Sequence, residues 1–380
     1  MSASLAVGTM LAALLALTAP TKTFAAQRPV AQDHGAKKSS VRARKVSARS
    51  SSKRSSVKRA ATASKSKRAS SRRKGGALAK GPSVRKGHSK TAARKTRRSR
   101  VAAVKPRPTL ARAFGLDAAE DPAGLRSSVA YLLDVDSGRV LLEKNASQVL
   151  PIASITKLMT TMVVLDAEQP MQEMLTITSD DVDRERHSSS RLPVGTRLSR
   201  REMIQLALMA SENRAAHALG RSYPGGLAAF VSAMNAKARL LGLTDARFSD
   251  PTGLSNANVA SARDLGRLLQ AAAEYDVIRE DSTREGMSVD TGYRVQRFGN
   301  TNLLVGDDDW EIDVQKTGYI SEAGRCLVML TRLDGRQVAM VFLASYGKYT
   351  RIADARRARR WLDSSGELTT VASVSAASAN

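Results

Sequence analysis

Apolar and polar positions divide the chain into a part with clear periodicity and a part without any. From Ser127 onwards, β-rich apolar runs and segments with helical spacing follow one another, whereas residues 27–112 are Ser, Ala, Lys and Arg with almost no aliphatic pattern. Such a composition cannot bury enough apolar surface to offset its chain entropy. The pattern predicts a disordered segment over 27–112, a folded domain over 113–365 and a disordered tail over 366–380.

Strand patterns lie at both ends of the folded part. The run SVAYLLDVDSGRVLLEKN contains two β-rich stretches on either side of Asp136-Ser137-Gly138, which predicts a hairpin. The C-terminal third contains the stretches EIDVQKTGY, RCLVMLTRL and RQVAMVFLAS, and Asp334-Gly335 separates the last two. An Asp-Gly pair between apolar runs predicts a second hairpin.

Helical patterns fill the middle of the folded part. The stretch PIASITKLMTTMVVLDA, residues 151–167, is apolar nearly all round, which predicts a buried helix. The other predicted helices are Ser199–Gly220, Gly226–Leu243, Ser261–Tyr275 with Ser261 as N-cap, and the late stretch RIADARRARRWLD. Strands at both ends with helices between them predict an α+β fold, an antiparallel β-sheet flanked by helices with an inserted helical subdomain.

The charge of the chain is concentrated in the segment without periodicity. The formal net charge is +26, and residues 27–112 hold 29 lysines and arginines against a single acid, Asp33. The part from residue 113 onwards is nearly neutral, with 31 basic and 34 acidic residues. The basic segment predicts binding to a polyanion, and a non-enzymatic nucleic-acid-binding protein is one alternative.

The first 26 residues predict export. An apolar core, Leu5 to Leu17, is followed by small residues up to Ala25 and Ala26, as in a secretory signal peptide over 1–26. The apolar run is shorter than the roughly 20 residues that span a membrane. An exported chain would meet anionic cell wall or lipopolysaccharide rather than nucleic acid, so the N-terminus of the mature protein discriminates between these readings.

Ser154 and Lys157 stand at the head of the predicted buried helix. The pattern Ser-x-x-Lys also occurs five times in the basic segment, so the motif alone carries little weight. Residues three apart share a helix face, and burial lowers the pKa of an amine towards the range of a general base. A helix start also offers free N–H groups to an oxyanion. The alternative is a helix cap followed by an ordinary surface lysine.

Two further motifs are candidates for chemistry. Ser211-Glu212-Asn213 lies late in a predicted helix, where these residues either relay protons and hold a peptide or simply interrupt the helix. Lys316-Thr317-Gly318 lies at the end of a predicted strand, where it either binds a carboxylate or ends the strand in a turn.

Metal and cysteine chemistry have little support in the sequence. The four histidines show no metal-binding spacing, so no metal site and no cofactor are predicted. The single cysteine, Cys326, lies in a strand pattern with no histidine nearby, which predicts a buried apolar residue and not a nucleophile.

The order Ser-x-x-Lys, Ser-x-Asn, Lys-Thr-Gly is that of the penicillin-recognising serine acyl-transferases. The stretches around the motifs include ASITKLMTTMVVLDA, LSRREMIQLALMASENRAAHALG, FVSAMNAKARLLGLTDARFSDPTGLS and QKTGYISEAGRCLVML. Over residues 120–365 the chain resembles the D-alanyl-D-alanine endopeptidases of Gram-negative cell walls, of the penicillin-binding protein 7 type. These are close relatives of the low-molecular-mass D,D-carboxypeptidases, and the resemblance implies a β-lactamase/transpeptidase-like fold. The basic segment is not part of it.

The resemblance implies catalytic roles for four residues. Ser154 is expected to be the nucleophile that forms an acyl-ester, and Lys157 its general base. Burial and the charge of Lys316 are expected to keep Lys157 neutral. Ser211 is expected to relay the proton to the leaving nitrogen, and Asn213 to hold the substrate backbone and orient Lys157.

The resemblance also implies a substrate-binding strand. Lys316 and Thr317 are expected to bind a carboxylate next to the scissile amide, with Gly318 allowing close approach. The backbone N–H groups of Ser154 and Tyr319 are expected to form the oxyanion hole.

The implied function is that of a periplasmic endopeptidase of a Gram-negative bacterium. Its substrates are expected to be the D-Ala–diaminopimelate cross-links of peptidoglycan, and β-lactams are expected to inhibit it by acylating Ser154. A D,D-carboxypeptidase is the main alternative, because both leaving groups carry a carboxylate beside the amide. A serine β-lactamase shares all three motifs and is a lesser alternative.

Overall fold

The computed structural model describes residues 109–368. The predicted signal peptide over 1–26, almost all of the predicted basic segment and the residues after 368 lie outside the described residues. The described chain begins with helix α1 (Leu110–Ala113), in which the side chain of Ala111 is buried. At the other end, Leu368 is also buried. The folded part therefore extends a few residues beyond both predicted boundaries.

Helix α1 is held by one local and one distant hydrogen bond. The Thr109 hydroxyl accepts a hydrogen bond from the backbone N–H of Arg112, and the backbone N–H of Leu110 donates to the carbonyl oxygen of Glu322 at 3.1 Å. The sequence pattern began to predict structure only near Ser127, because so short a helix shows no periodicity.

The described chain contains eight α-helices and eleven strands. The remaining helices are α2 (Thr156–Asp166), α3 (Arg200–Met209), α4 (Asn213–Arg221), α5 (Gly226–Leu240), α6 (Ala262–Ala273), α7 (Asp276–Thr283) and α8 (Thr350–Ser365). The strands are β1 (Val129–Asp134), β2 (Val140–Lys144), β3 (Leu150–Pro151), β4 (Met174–Thr176), β5 (Arg197–Ser199), β6 (Val259–Ala260), β7 (Gly286–Asp290), β8 (Val295–Gly299), β9 (Glu311–Ile320), β10 (Gly324–Leu333) and β11 (Arg336–Ser345).

Five strands form one antiparallel sheet in the order β2-β1-β11-β10-β9. Side chains alternate between its faces, as strand geometry requires. Val328 and Val341 point to the core shared with the central helices, whereas Leu327 and Phe342 point to the core covered by α8. The predicted antiparallel sheet flanked by helices is confirmed, and β9 is one of its edge strands.

Helices α2 to α7 are inserted between β2 and β9, as predicted. Helix α2 is buried from Thr156 to Val164. The apolar stretch over 151–167 therefore contains a buried central helix, as predicted. The Ser261 hydroxyl accepts from the N–H of Asp264 and caps α6, again as predicted. The sequence pattern did not predict three small two-stranded sheets, because their strands are short and partly polar. These are β7–β8, β3–β6 and β4–β5.

Within residues 109–368, no helix is both long enough and apolar enough to cross a membrane.

Candidate active site

Ser154 lies in a 3-10 turn, Ala153–Ile155, that leads directly into α2. Ala153 has φ 49°, a left-handed conformation that non-glycine residues adopt only when their surroundings enforce it. Two glycines pack against this turn. A Cβ atom on Gly253 would lie 2.0 Å from the carbonyl oxygen of Ala153, and one on Gly318 would lie 2.9 Å from the carbonyl oxygen of Ile152. The backbone around Ser154 is therefore fixed by contacts that only glycine permits.

The Lys157 side chain is fully buried and points at Ser154. Its Nζ atom lies 2.9 Å from Ser154 Oγ, 2.8 Å from Asn213 Oδ1 and 2.6 Å from the carbonyl oxygen of Thr252. These three acceptors surround the amine. The alternative of a helix cap followed by a surface lysine does not describe this side chain.

Burial lowers the pKa of Lys157 from 10.5 to about 7, against the opposing influence of the carboxylates of Asp250 and Glu212. The amine is therefore neutral in a large fraction of molecules near neutral pH. A neutral amine within hydrogen-bond distance of a serine hydroxyl can accept its proton.

The second motif interrupts a helix. The single helix predicted over Ser199–Gly220 is instead two helices, α3 and α4, and the chain between them passes through Ser211 with φ 59°. The interruption directs Ser211 towards the third motif and places Asn213 at the start of α4. Asn213 bonds Lys157 through Oδ1, and its Nδ2 atom donates to Ser188 Oγ at 3.1 Å.

Lys316 connects the second and third motifs. It is fully buried in β9, and its Nζ atom lies 2.9 Å from Ser211 Oγ and 2.9 Å from the carbonyl oxygen of Thr317. Burial holds the pKa of Lys316 well below its usual range, and the charges of Lys157 and Arg351 act in the same direction. Burial lowers the pKa of Lys157, as predicted, but the predicted contribution of the Lys316 charge to that shift is not among its causes. The repulsion between the two lysines instead lowers the pKa of Lys316.

The remaining residues of the third motif lie along the edge of the sheet. Thr317 is nearly buried, and its hydroxyl lies 2.6 Å from the hydroxyl of Thr301. Gly318 packs on the turn that carries Ser154. Tyr319 is 57% exposed, and the guanidinium of Arg325 lies 4.5 Å from the centre of its ring.

The structure thus brings all eight predicted site residues to one place at the junction of the sheet and the central helices. Sequence reasoning gave no role to several residues that support them. Asp250 organises the loop that carries Thr252, because its Oδ1 atom accepts from the N–H groups of Thr252 and Gly253, at 2.6 and 2.8 Å. The local sequence Asp-Pro-Thr-Gly is a turn signal that could have revealed this loop, although not its partner Lys157.

A cavity of about 640 Å³, lined mostly by polar residues, opens beside Asn213 and Thr252. Its walls come from the loops 179–190 and 249–255 together with α4, including Arg214. The size is within the usual range for a ligand cleft, so this space can receive part of an extended substrate next to Lys157.

The described residues also bear on metal and cysteine chemistry. No group of three or more His, Cys, Asp or Glu residues is arranged to hold a metal ion among residues 109–368. Cys326 is buried in β10, as predicted, and burial raises the pKa of its thiol to about 11. A thiol of this kind stays protonated and is a poor nucleophile.

Comparisons with known proteins agree with this geometry. The sequence profile of the D-alanyl-D-alanine carboxypeptidase family matches residues 117–346. A D-alanyl-D-alanine endopeptidase of Pseudomonas aeruginosa is 47% identical over 249 residues, which are 65% of this chain and 80% of that protein. A D-alanyl-D-alanine endopeptidase of Escherichia coli is 45% identical over 242 residues, which are 63% of this chain and 78% of that protein.

A solved structure shares the fold. Penicillin-binding protein D2 from Listeria monocytogenes, crystallised in its cefotaxime-bound form, superposes with a TM-score of 0.56 at 27% sequence identity. The match covers 61% of this chain and 95% of that one. The α+β architecture is therefore that of the serine penicillin-binding proteins, and the chain belongs to the D-alanyl-D-alanine carboxypeptidase family of serine peptidases.

Proposed function

We propose that this protein is a serine D,D-endopeptidase that cleaves the D-Ala–diaminopimelate cross-links of peptidoglycan. The observation that carries the reaction is the buried Lys157 amine, 2.9 Å from Ser154 Oγ, with a pKa lowered to about 7. Its neutral form takes the hydroxyl proton as Ser154 attacks the D-Ala carbonyl carbon. The product of this step is a tetrahedral intermediate covalently bound to Ser154.

The oxyanion of that intermediate is stabilised by backbone N–H groups. Ser154 donates from the turn at the head of α2, and Tyr319 donates from the edge strand β9. The packing of Gly318 against the turn supports this pairing, because a larger residue would separate the strand from the nucleophile. Loss of one oxyanion donor costs about 3–4 kcal/mol in other serine hydrolases.

Ser211 carries the proton to the leaving nitrogen. Its hydroxyl lies 2.9 Å from Lys316 Nζ, and this contact holds it beside the strand that binds the leaving group. As the carbonyl re-forms, the C–N bond breaks, the nitrogen leaves as an amine and Ser154 retains the acyl group. Water then attacks the ester and releases the D-Ala carboxylate.

The edge strand binds the leaving group. Thr317 and Lys316 contact the carboxylate on the carbon that bears the leaving amine, and the space beside Asn213 receives the rest of the peptide. A D,D-carboxypeptidase would use the same contacts, because a terminal D-alanine has its carboxylate at the same position. The endopeptidase is favoured because both compared relatives with this name are 45–47% identical over about four fifths of their length.

Two defined substrates test this assignment. The purified protein and its Ser154→Ala variant are incubated with a cross-linked muropeptide dimer and with an uncross-linked pentapeptide, and the products are identified by mass spectrometry. We expect cleavage of the dimer by the wild-type protein only. Loss of only the terminal D-alanine from the pentapeptide would make the protein a carboxypeptidase, and no reaction with either substrate would refute the peptidase assignment.

β-Lactams test the same nucleophile. We expect benzylpenicillin to form a long-lived adduct on Ser154, seen as a mass increase of the intact protein that is absent from Ser154→Ala. Rapid turnover of the penicillin would instead identify a serine β-lactamase. The bound cefotaxime in the compared Listeria structure supports this expectation.

We also propose that the enzyme is exported to the periplasm and that its basic segment holds it on anionic wall or lipopolysaccharide. The signal-like sequence over 1–26 supports export. The 29 basic residues and single acid of residues 27–112 support binding to an anionic surface. A mature N-terminus near Ala26 is expected, and an intact N-terminus would favour the alternative of a nucleic-acid-binding protein.

Sedimentation with purified cell wall tests the segment. Binding is expected to fall as salt rises and to be lost when residues 27–108 are deleted, a deletion that spares helix α1 and its buried residue Ala111. A deletion variant that still binds wall as tightly as the intact chain would contradict the role of the segment.

A further inference from the structure

Thr301 has no place in the three motifs, yet its hydroxyl lies 2.6 Å from the hydroxyl of Thr317. Either oxygen can be the donor in such a pair, and the direction of that proton decides what Thr317 can do for a substrate. A Thr317 hydroxyl that gives its proton to Thr301 presents only lone pairs to the cleft. A Thr317 hydroxyl that receives the proton of Thr301 keeps its own proton for a substrate carboxylate.

The other contacts of Thr301 decide between these two directions. Its hydroxyl has one further acceptor within reach, the carbonyl oxygen of Met209, at 3.5 Å. That distance is at the outer limit of a hydrogen bond, and the same carbonyl already accepts from the backbone N–H of Thr301 at 3.2 Å. The hydroxyl proton of Thr301 is therefore directed to Thr317, where the contact is nearly 1 Å shorter.

Thr301 is held in place by its neighbour. The Asn300 side chain donates to the carbonyl oxygens of Ser282 and Arg284, both at 2.9 Å. Its Oδ1 atom accepts from Gln315 Nε2 at 3.0 Å and from the N–H of Asn302 at 2.9 Å. A donor fixed in this way stays aimed at its acceptor without a loss of side-chain entropy when substrate binds.

We propose that Thr301 is a positioning residue, which donates to Thr317 Oγ1 and so turns the Thr317 proton towards the carboxylate next to the scissile amide. This inference rests on the proposed function of Thr317. It assigns recognition of the carboxylate to two hydroxyls in series, with the outer one in contact with substrate and the inner one setting its direction. Hydrogen bonds to a charged acceptor are about twice as strong as neutral ones, so this orientation bears on substrate affinity.

The test uses two cross-linked dimers that differ at one group. The first has the natural carboxylate on the carbon of the leaving amine, and the second has a hydrogen there, as in a lysine cross-link. We expect Thr301→Val to lower kcat/KM for the first dimer about five- to tenfold, mainly through KM, and to leave the second nearly unaffected. Thr301→Ser retains a hydroxyl and restores the preference for the carboxylate.

A double-mutant cycle separates positioning from folding. Because Thr301 acts through Thr317, the variant Thr301→Val/Thr317→Val is expected to be no worse than Thr317→Val alone. An equal loss on both dimers, or fully additive losses in the double variant, would show that Thr301 only holds the end of α3 against β9. Either result would overturn the inference.

Failure to cleave either dimer would refute the proposed substrate. The role of Thr301 can then still be tested with benzylpenicillin. The drug carries a carboxylate on the carbon attached to its ring nitrogen. Thr301→Val is expected to slow acylation of Ser154 by benzylpenicillin about five- to tenfold, and Thr301→Ser to slow it little. Equal acylation rates in the wild-type and Thr301→Val proteins would overturn the role of Thr301 whatever the natural substrate is.

Discussion

The pH dependence of acylation provides the sharpest test of the site, because it depends on the burial of one amine. Burial lowers the pKa of Lys157 from 10.5 to about 7. This shift means that the protonated form is about 5 kcal/mol less stable, relative to the neutral form, than it is for a lysine in water. At pH 7 an ordinary lysine is neutral in about one molecule in three thousand, whereas Lys157 is neutral in about half. The buried position therefore raises the available base about a thousandfold.

The sign of the effect follows from the proposed role of the neutral Lys157 amine as the base. The second-order rate constant for acylation of Ser154 by benzylpenicillin is expected to rise with pH, to be half-maximal near pH 7 and to level off above about pH 8. Below the midpoint the rate is expected to fall about tenfold per pH unit. The rate constant is measured by stopped-flow or quenched mass spectrometry from about pH 5 to 9.

The carboxylates of Asp250 and Glu212 both raise the pKa of Lys157, and Glu212 is the one changed in this test. Glu212 raises the pKa of Lys157, so Glu212→Gln is expected to shift the midpoint to lower pH while keeping a hydrogen-bond acceptor for Ser190. Glu143→Gln, an exposed carboxylate paired with Arg263, is the matched control and is expected to leave the midpoint unchanged. A flat profile, a midpoint near pH 10 or an upward shift in Glu212→Gln would refute the assignment of Lys157 as a base controlled by burial and nearby charge.

Three further changes test the packing and charge around the site. Gly253→Ala would force a Cβ atom to 2.0 Å from a backbone oxygen, so we expect the free energy of unfolding in urea to fall by about 3 kcal/mol or more. Asn213→Ala removes one acceptor from Lys157, and we expect acylation to slow about 10- to 100-fold with little change in secondary structure by circular dichroism. Burial raises the pKa of Asp181, but hydrogen bonds from His217 and a nearby arginine prevail and lower it from 3.8 to about 2. The stabilisation from the Asp181 carboxylate is therefore complete above pH 4 and lost as pH falls towards 2, so Asp181→Asn is expected to flatten the acid limb of a thermal unfolding series. Retention of that acid limb in the variant would contradict the assignment.

Local sequence determined most of the regular structure. Helix α2 and the β10–β11 hairpin follow from patterns that act over a few residues, namely an unbroken apolar run and an Asp-Gly pair. The hairpin β7–β8 was not predicted, because its strands are short and half polar. The interruption at Ser211 was predicted only as an alternative, because residues on both sides favour a helix.

The sequence by itself also predicted the residues of the candidate site, through the order of three motifs and the resemblance that this order carries. It could not place them together, because Lys157 meets Asn213 across 56 positions and Lys316 meets Ser211 across 105. Nor could it assign a role to Thr301, whose partner Thr317 is reached only when the loop after β8 packs on β9. Contacts of this kind, and the burial that lowers the pKa of Lys157, are properties of the packed interior. Only the tertiary structure decided them, because a pKa depends on the solvent and charges around a group and not on its neighbours in the chain.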